Sequence, residues 1–170
     1  KRITCACAQA GRSRQSVRLV AVSKTKPLAL IEQAFAAGQR VFGENYVQEA
    51  VDKLDKLSAA EWHFIGSLQT NKVKFIVGRV ALIHSVDRQR LAEEISKAAV
   101  KAGVVQEILL QVHIGDEATK HGASLAEAPA LVAQLRDLPG IRLRGLMSLP
   151  PLAANEREGR ANFAILRKLL

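Results

Sequence analysis

The sequence lacks the motifs and residue patterns that mark several common protein classes. It contains no run of about eighteen apolar residues, which argues against a membrane-spanning helix. Two cysteines, Cys5 and Cys7, are too few for a disulfide framework and have no second ligand pair for zinc. They favour a reducing compartment, so we expect a cytoplasmic protein. The Gly-x-Gly-x-x-Gly, Gly-x-Ser-x-Gly and His-Glu-x-x-His motifs are also missing, and no metal site is predicted.

Aromatic residues are scarce, although the chain is strongly basic. The formal net charge is +9, which raises nucleic acid as a partner. The basic residues are scattered, however, and alternate with acids, as in residues 52–56. One tryptophan, one tyrosine and five phenylalanines do not supply a stacking platform for single strands. The composition therefore weighs against a nucleic-acid-binding module.

The chain of 170 residues suits one domain, and we treat residues 1–170 as such. A short apolar run followed by a helical period repeats along it, which predicts alternating strands and helices and therefore a parallel sheet. Two architectures remain open, an open doubly wound sheet and a (β/α)₈ barrel short of two strand–helix units. The apolar runs span residues 17–22, 41–43, 62–65, 81–86, 108–114 and 141–149.

Local signals predict where several helices begin and end. Asp87 is a suitable N-cap for a helix that Gly103 ends. Ser124 and Glu127 have the spacing of a capping box. Pro129 fits poorly inside that first turn, so we expect the helix to begin a few residues later.

Reactive side chains cluster where the predicted strands end. In a barrel all of them lie on the carboxyl-terminal rim, where barrel enzymes keep their sites, whereas an open sheet spreads some along an edge. This distribution favours the barrel. The side chains are those of Ser23, Lys24, Glu44, Asn45, Ser67, Gln69, His84, Ser85, His113, Met147 and Ser148.

Lys24 is the strongest candidate for chemistry. It ends the first predicted strand, and we expect the barrel wall to shield it partly from water. Desolvation favours the neutral amine, which attacks an aldehyde, and a second cation at Lys26 strengthens that tendency if the two approach each other. The alternative is an ordinary solvated lysine at the start of a loop.

Other polar residues have equally plausible structural roles. Asn45 either contacts a ligand, together with Glu44, or caps the next helix. His84 either stacks on a ring or donates a proton, or its hydrogen bonds are satisfied within the barrel wall. His113 and His121 are isolated, and the four histidines are not spaced as metal ligands.

Six segments of the chain resemble the YggS/PROSC family of pyridoxal phosphate homeostasis proteins. They occur in order along nearly the whole chain, and the set is far more specific than any one member. The segments are residues 21–27 (AVSKTKP), 42–49 (FGENYVQE), 62–72 (WHFIGSLQTNK), 83–87 (IHSVD), 115–122 (GDEATKHG) and 144–148 (RGLMS).

The resemblance implies the alanine-racemase-type barrel, called fold type III among proteins that bind pyridoxal 5′-phosphate (PLP). It implies that Lys24 holds PLP as a Schiff base and that Asn45, His84 and Met147 lie near the cofactor. Family members continue beyond residue 170. We therefore expect a C-terminally incomplete barrel without the last two strand–helix units, which carry a Ser/Gly-rich phosphate cup and an arginine near the pyridine nitrogen.

Three functional hypotheses follow. The leading one is a monomeric, non-catalytic PLP carrier in cofactor and amino-acid homeostasis, which holds PLP and releases it to PLP-dependent apo-enzymes. The second is a PLP-dependent amino-acid racemase, for which the only tyrosine, Tyr46, is the available second base. The third, prompted only by charge, is the nucleic-acid-binding module.

Overall fold

The computed structural model describes residues 1–114 and 122–169. Helices and strands alternate through this part of the chain, as the apolar runs predict. Short 3₁₀ helices occupy Arg14–Ser16 and Thr70–Phe75. The α-helices are α1 (Arg2–Gln9), α2 (Leu28–Ala36), α3 (Val47–Lys56), α4 (Gln89–Ala102), α5 (Ala128–Arg136) and α6 (Glu156–Arg167), and the strands are β1 (Ala21–Val22), β2 (Val41–Glu44), β3 (Glu61–Phe64), β4 (Leu82–Val86), β5 (Gln106–Gln111) and β6 (Ile141–Met147).

The strands form one sheet in which spatial order follows chain order, β1-β2-β3-β4-β5-β6. Every neighbouring pair is parallel. A doubly wound sheet reverses its direction of growth at a switch point, and this sheet does not. Growth in one direction is the pattern of a (β/α)₈ barrel, so the barrel prediction is confirmed.

The core lies between the outer face of the sheet and the helices. Because side chains alternate along a strand, one face of β2, β3 and β4 contributes large apolar groups to this layer. The rings of Phe42 and Trp62 pack at 5.5 Å between centroids. This packing fixes the opposite strand face as the barrel interior. Fully buried members of the core include Phe42, Phe64, Ile83, Leu91, Ile95, Ile108, Leu110 and Leu135.

Two local predictions were wrong. The first strand contains only Ala21–Val22 of the predicted residues 17–22, because only these two have paired partners in β2, and Val22 is exposed. Asp87 is not the N-cap of α4, because Arg88 occupies that position and no side chain caps the helix. Asp87 instead forms an ion pair with Arg88.

The displaced start of α5 is confirmed, and the reciprocal hydrogen bonds of the predicted capping box are present, but they lie in the turn before the helix, whose N-cap Glu127 has no side-chain cap. The Ser124 hydroxyl accepts a hydrogen bond from the Glu127 amide at 3.2 Å, and the Glu127 carboxylate accepts one from the Ser124 amide at 3.0 Å. The helix itself begins at Ala128, one turn later, with Pro129 in its first turn. Gly103 ends α4 in the left-handed conformation, as predicted.

In residues 1–114 and 122–169, no helix has the length and apolar character needed to cross a membrane. The same residues contain no group of three or more His, Cys, Asp or Glu side chains placed to hold a metal ion.

Candidate functional site

Lys24 lies in a tight turn directly after β1. The Ser23 amide donates a hydrogen bond to the Gly43 carbonyl at 3.0 Å, which continues the β1–β2 pairing by one residue. The Lys26 amide then donates to the Ser23 carbonyl at 3.1 Å and closes the turn. Ser23 is buried but Lys24 is exposed, so the predicted shielding of Lys24 is not found among the described residues.

Thr25 gives this turn an unusual backbone. Its φ angle is 61°, the only positive φ of a non-glycine residue in the described part of the chain. A turn of this kind prefers glycine or asparagine at its third position, and a β-branched residue there is strained. Such strain persists only where surrounding contacts hold it, and it often marks functional sites.

Those contacts come from a buried lysine on α3. Lys53 is 8% exposed, and its ammonium group makes three hydrogen bonds. It donates to the Ser23 carbonyl at 2.9 Å, to Glu44 Oε1 at 2.8 Å and to Glu49 Oε2 at 3.0 Å. All three ammonium protons therefore have partners, which a buried charge requires.

The two carboxylates connect Lys53 to the rest of the turn. Glu44 is 1% exposed and also accepts from the Ser23 hydroxyl at 2.6 Å. Glu49 accepts from the Thr25 amide at 2.8 Å. The hydrogen bonds from Lys53 and then from the Thr25 amide hold the pKa of Glu49 below its ordinary value. Sequence analysis missed this role of Lys53 and Glu49; their i,i+4 spacing was the one available signal.

Asn45 lies half-buried directly after β2. It does not cap the following helix, because Tyr46 occupies the N-cap position of α3 and makes no side-chain cap. The backbone of Gly66, in the loop after β3, packs against that of Asn45. A Cβ atom on Gly66 would lie 2.1 Å from the Asn45 carbonyl oxygen. Only glycine allows this approach, which holds Asn45 at the rim.

His84 lies within β4, two residues before the strand ends, and faces away from the core residue Ile83. Its Nε2 is 2.9 Å from His63 Nδ1, and His63 Nε2 is 2.9 Å from Glu61 Oε1. A carboxylate only accepts, so a neutral His63 donates through Nε2 and accepts at Nδ1. His84 therefore donates through Nε2 and keeps a lone pair on Nδ1.

The surroundings of His84 disfavour its charged form. Burial, and secondarily the positive charge that His63 carries when protonated, lower the pKa of His84 to about 4. The imidazole is thus neutral at physiological pH. A neutral ring suits stacking on a ligand and the structural role that the sequence left open for His84, but it disfavours the proton-donating role. The His63 contact supplies the structural role.

Met147 is the last residue of β6 and pairs with Gln111 of β5. The Val112 amide donates to its carbonyl at 2.8 Å, so the ends of β5 and β6 stay together at the rim. Met147 lies on the opposite edge of the sheet from the strand that precedes Lys24, whereas Asn45 follows the neighbouring strand. The predicted loop over residues 115–122, with His121, falls almost wholly outside the described residues.

Several buried polar atoms near the ends of β4, β5 and β6 make no hydrogen bond within the described parts of the chain. Buried polar groups are normally paired, so such atoms are available to a ligand or to water. They are Ser85 Oγ, His113 Nε2 and Ser148 Oγ.

Comparison with known proteins identifies the family. The alanine racemase N-terminal domain family matches residues 6–170. The pyridoxal phosphate homeostasis protein of Aquifex aeolicus is 43% identical over 99% of this chain and 75% of its own length. The structure of PipY from Synechococcus elongatus with PLP bound superposes with a TM-score of 0.83 at 37% identity, covering 99% of this chain and 80% of that one.

A more distant structure shares the fold alone. Alanine racemase from Corynebacterium glutamicum has a TM-score of 0.69 at 16% identity, over 91% of this chain and 45% of that one. The architecture, the ordered motifs and the close relatives agree. The chain belongs to the alanine racemase N-terminal domain family, among the pyridoxal phosphate homeostasis proteins.

Proposed function

We propose that this protein binds PLP through Lys24 and holds it, without turning over a substrate, in intracellular PLP and amino-acid homeostasis. The observation that carries the proposal is an exposed primary amine on a turn anchored by buried charges, at the carboxyl ends of the barrel strands. The relatives named as homeostasis proteins and the PLP-bound PipY support it.

The residues present fit this cofactor. PLP supplies an aldehyde that captures a primary amine, and Lys24 offers one to solvent at the rim. Asn45 follows the adjacent strand, and the unpaired Ser148 hydroxyl and His113 ring nitrogen offer hydrogen bonds near the end of β6. His84, neutral at physiological pH, contributes a ring surface and an acceptor at Nδ1. We propose Lys24, Asn45, His84 and Met147 as the cofactor-binding residues.

The same geometry favours a carrier over a racemase. A racemase of this fold type needs a second proton-transferring group opposite the lysine. The single tyrosine, Tyr46, is half exposed at the N-cap of α3, immediately after Asn45 on the neighbouring strand end. We propose that the exposed position of Lys24 lets PLP leave for PLP-dependent apo-enzymes.

The test compares Lys24→Ala with a matched control, Lys26→Ala, an exposed lysine of the same turn. PLP is added, its absorbance is recorded, and borohydride reduction with peptide mapping locates the adduct. We expect the adduct on Lys24 in wild type and in Lys26→Ala, and its loss in Lys24→Ala. An unchanged yield in Lys24→Ala would contradict the assignment. Exchange of the alanine α-proton with deuterium would favour the racemase instead.

A further inference from the structure

Both peptide groups that flank Lys24 are hydrogen-bonded to side chains of the same helix, α3. On its N-terminal side, the Ser23 carbonyl accepts from Lys53 of α3 at 2.9 Å. On its C-terminal side, the Thr25 amide donates to Glu49 of the same helix at 2.8 Å. Lys53 and Glu49 are themselves paired at 3.0 Å. The backbone of Lys24 is thus held between the two members of a single ion pair.

A contribution to stability does not by itself account for this buried ion pair. Burying a charged lysine and a carboxylate requires desolvation that their attraction only partly offsets, and apolar side chains of similar volume often stabilise as well. The carboxylate of Glu44 keeps one buried oxygen, Oε2, without a partner in the described structure. The turn also contains a threonine in the left-handed region. Costs of this kind persist where a fixed geometry is useful.

The position of the contacts shows what they fix. Glu49 and Lys53 do not contact the Lys24 side chain in any hydrogen bond or ion pair of the described residues. They hold main-chain atoms on either side of it. The position of its Cα and the direction of its Cα–Cβ bond, from which the side chain leaves the turn, are set by α3 and by β2 through Glu44.

We infer that Glu49 and Lys53 are positioning residues for Lys24: their ion pair clamps the two adjoining peptide groups and so directs the Lys24 amine towards a carbonyl ligand at the rim. The inference rests on the proposed function of Lys24. It predicts that loss of the clamp lowers the reactivity of Lys24 towards PLP without a comparable effect on Lys26, whose side chain follows the clamped segment.

The main test uses Glu49→Ala, because Glu49 is partly exposed and its removal leaves the core packing intact. Asp52→Ala is the matched control, since Asp52 is an exposed acid of the same helix. Glu49→Gln is the rescue variant because its amide oxygen still accepts from the Thr25 amide. At Lys53, the buried partner of Glu49, Lys53→Met removes the ammonium group and Lys53→Arg is the corresponding rescue variant because it keeps a positive charge.

Two measurements are made on each variant. Amide hydrogen exchange at Thr25, in the cofactor-free protein, reports the clamp directly. The ratio of borohydride-fixed PLP on Lys24 to that on Lys26 reports the positioning of Lys24. A general loss of stability should change the PLP yield on both lysines alike and leave this ratio unchanged. In Glu49→Ala we expect Thr25 exchange to rise by about tenfold, as for loss of one charge-assisted hydrogen bond, and the ratio to fall by a similar factor. Glu49→Gln should recover much of both, and Asp52→Ala should match wild type.

The outcomes separate the two proposals. If wild type carries the adduct on Lys24 and Glu49→Ala keeps the wild-type ratio while Thr25 exchange rises, the positioning role is wrong. A ratio that falls equally in Asp52→Ala also overturns it. If wild type carries no adduct on Lys24, the proposed function fails, whereas the change in Thr25 exchange still tests the clamp alone.

Discussion

Mild acid should destabilise the folded protein through His84. The pKa of this histidine falls to about 4 in the folded state from an ordinary value of 6.5, first because of burial and second because of His63. The unfolded chain therefore binds a proton in a range where the folded protein does not. Stability from the neutral ring is complete above about pH 6.5, declines as the pH falls, and is fully lost below about pH 4.

The size of the effect follows from the two pKa values. The full shift corresponds to a loss of about 2 kcal/mol between pH 7.5 and pH 5. His84 is only half-buried, so solvent screening reduces the expected loss to about 1 kcal/mol. Glu49 and Glu127, whose pKa values are lowered below 4.5, contribute losses only at lower pH. The interval from about pH 7 to pH 5 therefore separates histidine titration from that of these two carboxylates, and the comparison with His84→Gln assigns the effect to His84.

The assay is urea unfolding at about pH 7.5, 6.5, 5.5 and 5 in wild type and in His84→Gln. The glutamine amide can still donate to His63 Nδ1 but does not titrate, so its curve should be flatter by about 1 kcal/mol across the range. His63→Asn should retain most of the wild-type slope, since burial is the larger cause of the shift. Equal slopes in wild type and His84→Gln would refute the reasoning.

Three further changes test other parts of the site. Gly66→Ala should destabilise by about 3 kcal/mol or more and reduce PLP binding, because the added Cβ meets the Asn45 carbonyl; urea unfolding and PLP titration check this. Thr25→Asn should raise the free energy of unfolding by about 0.5–1 kcal/mol, since asparagine tolerates a positive φ; a decrease would contradict the strain. Lys53→Met should lower it by about 3 kcal/mol, because Glu44 loses its buried partner, and an unchanged urea midpoint would show that the pair contributes nothing.

The order of the elements could be predicted from the sequence because each central strand falls within or next to a short, mainly apolar run. β5 is the clearest example, since residues such as Ile108 and Leu110 are fully buried between the barrel interior and the helices. Strand ends were less predictable. Apolar character alone placed residues 17–22 in the first strand, but only Ala21 and Val22 find a hydrogen-bonding neighbour in β2. Pairing with a distant segment, and not local composition, determines that length.

Individual site residues were predictable to the extent that local sequence determines them. Lys24 was identified because it follows an apolar run and stands in a recognisable segment. The orientation of the His84 ring could not be predicted, because it depends on His63, twenty-one residues earlier in the chain, and on Glu61, which His63 contacts. Asn45 had two equal interpretations, and the close approach of Gly66 could not be inferred from the sequence of either loop.

Lys53 shows the limit of sequence analysis most clearly. It lies in a run of alternating charges, residues 52–56, that is typical of a solvated helix face. It is nevertheless buried, because three acceptors converge on it from the end of β1, the end of β2 and its own helix. The Ser23 carbonyl is thirty residues away in sequence, so no local pattern marks the contact. In a parallel barrel the helix after each strand packs back against the preceding strand end. The residues that support a reactive side chain should therefore be sought on the helix that follows the neighbouring strand, where a charged residue is buried only if it is paired, as Lys53 is.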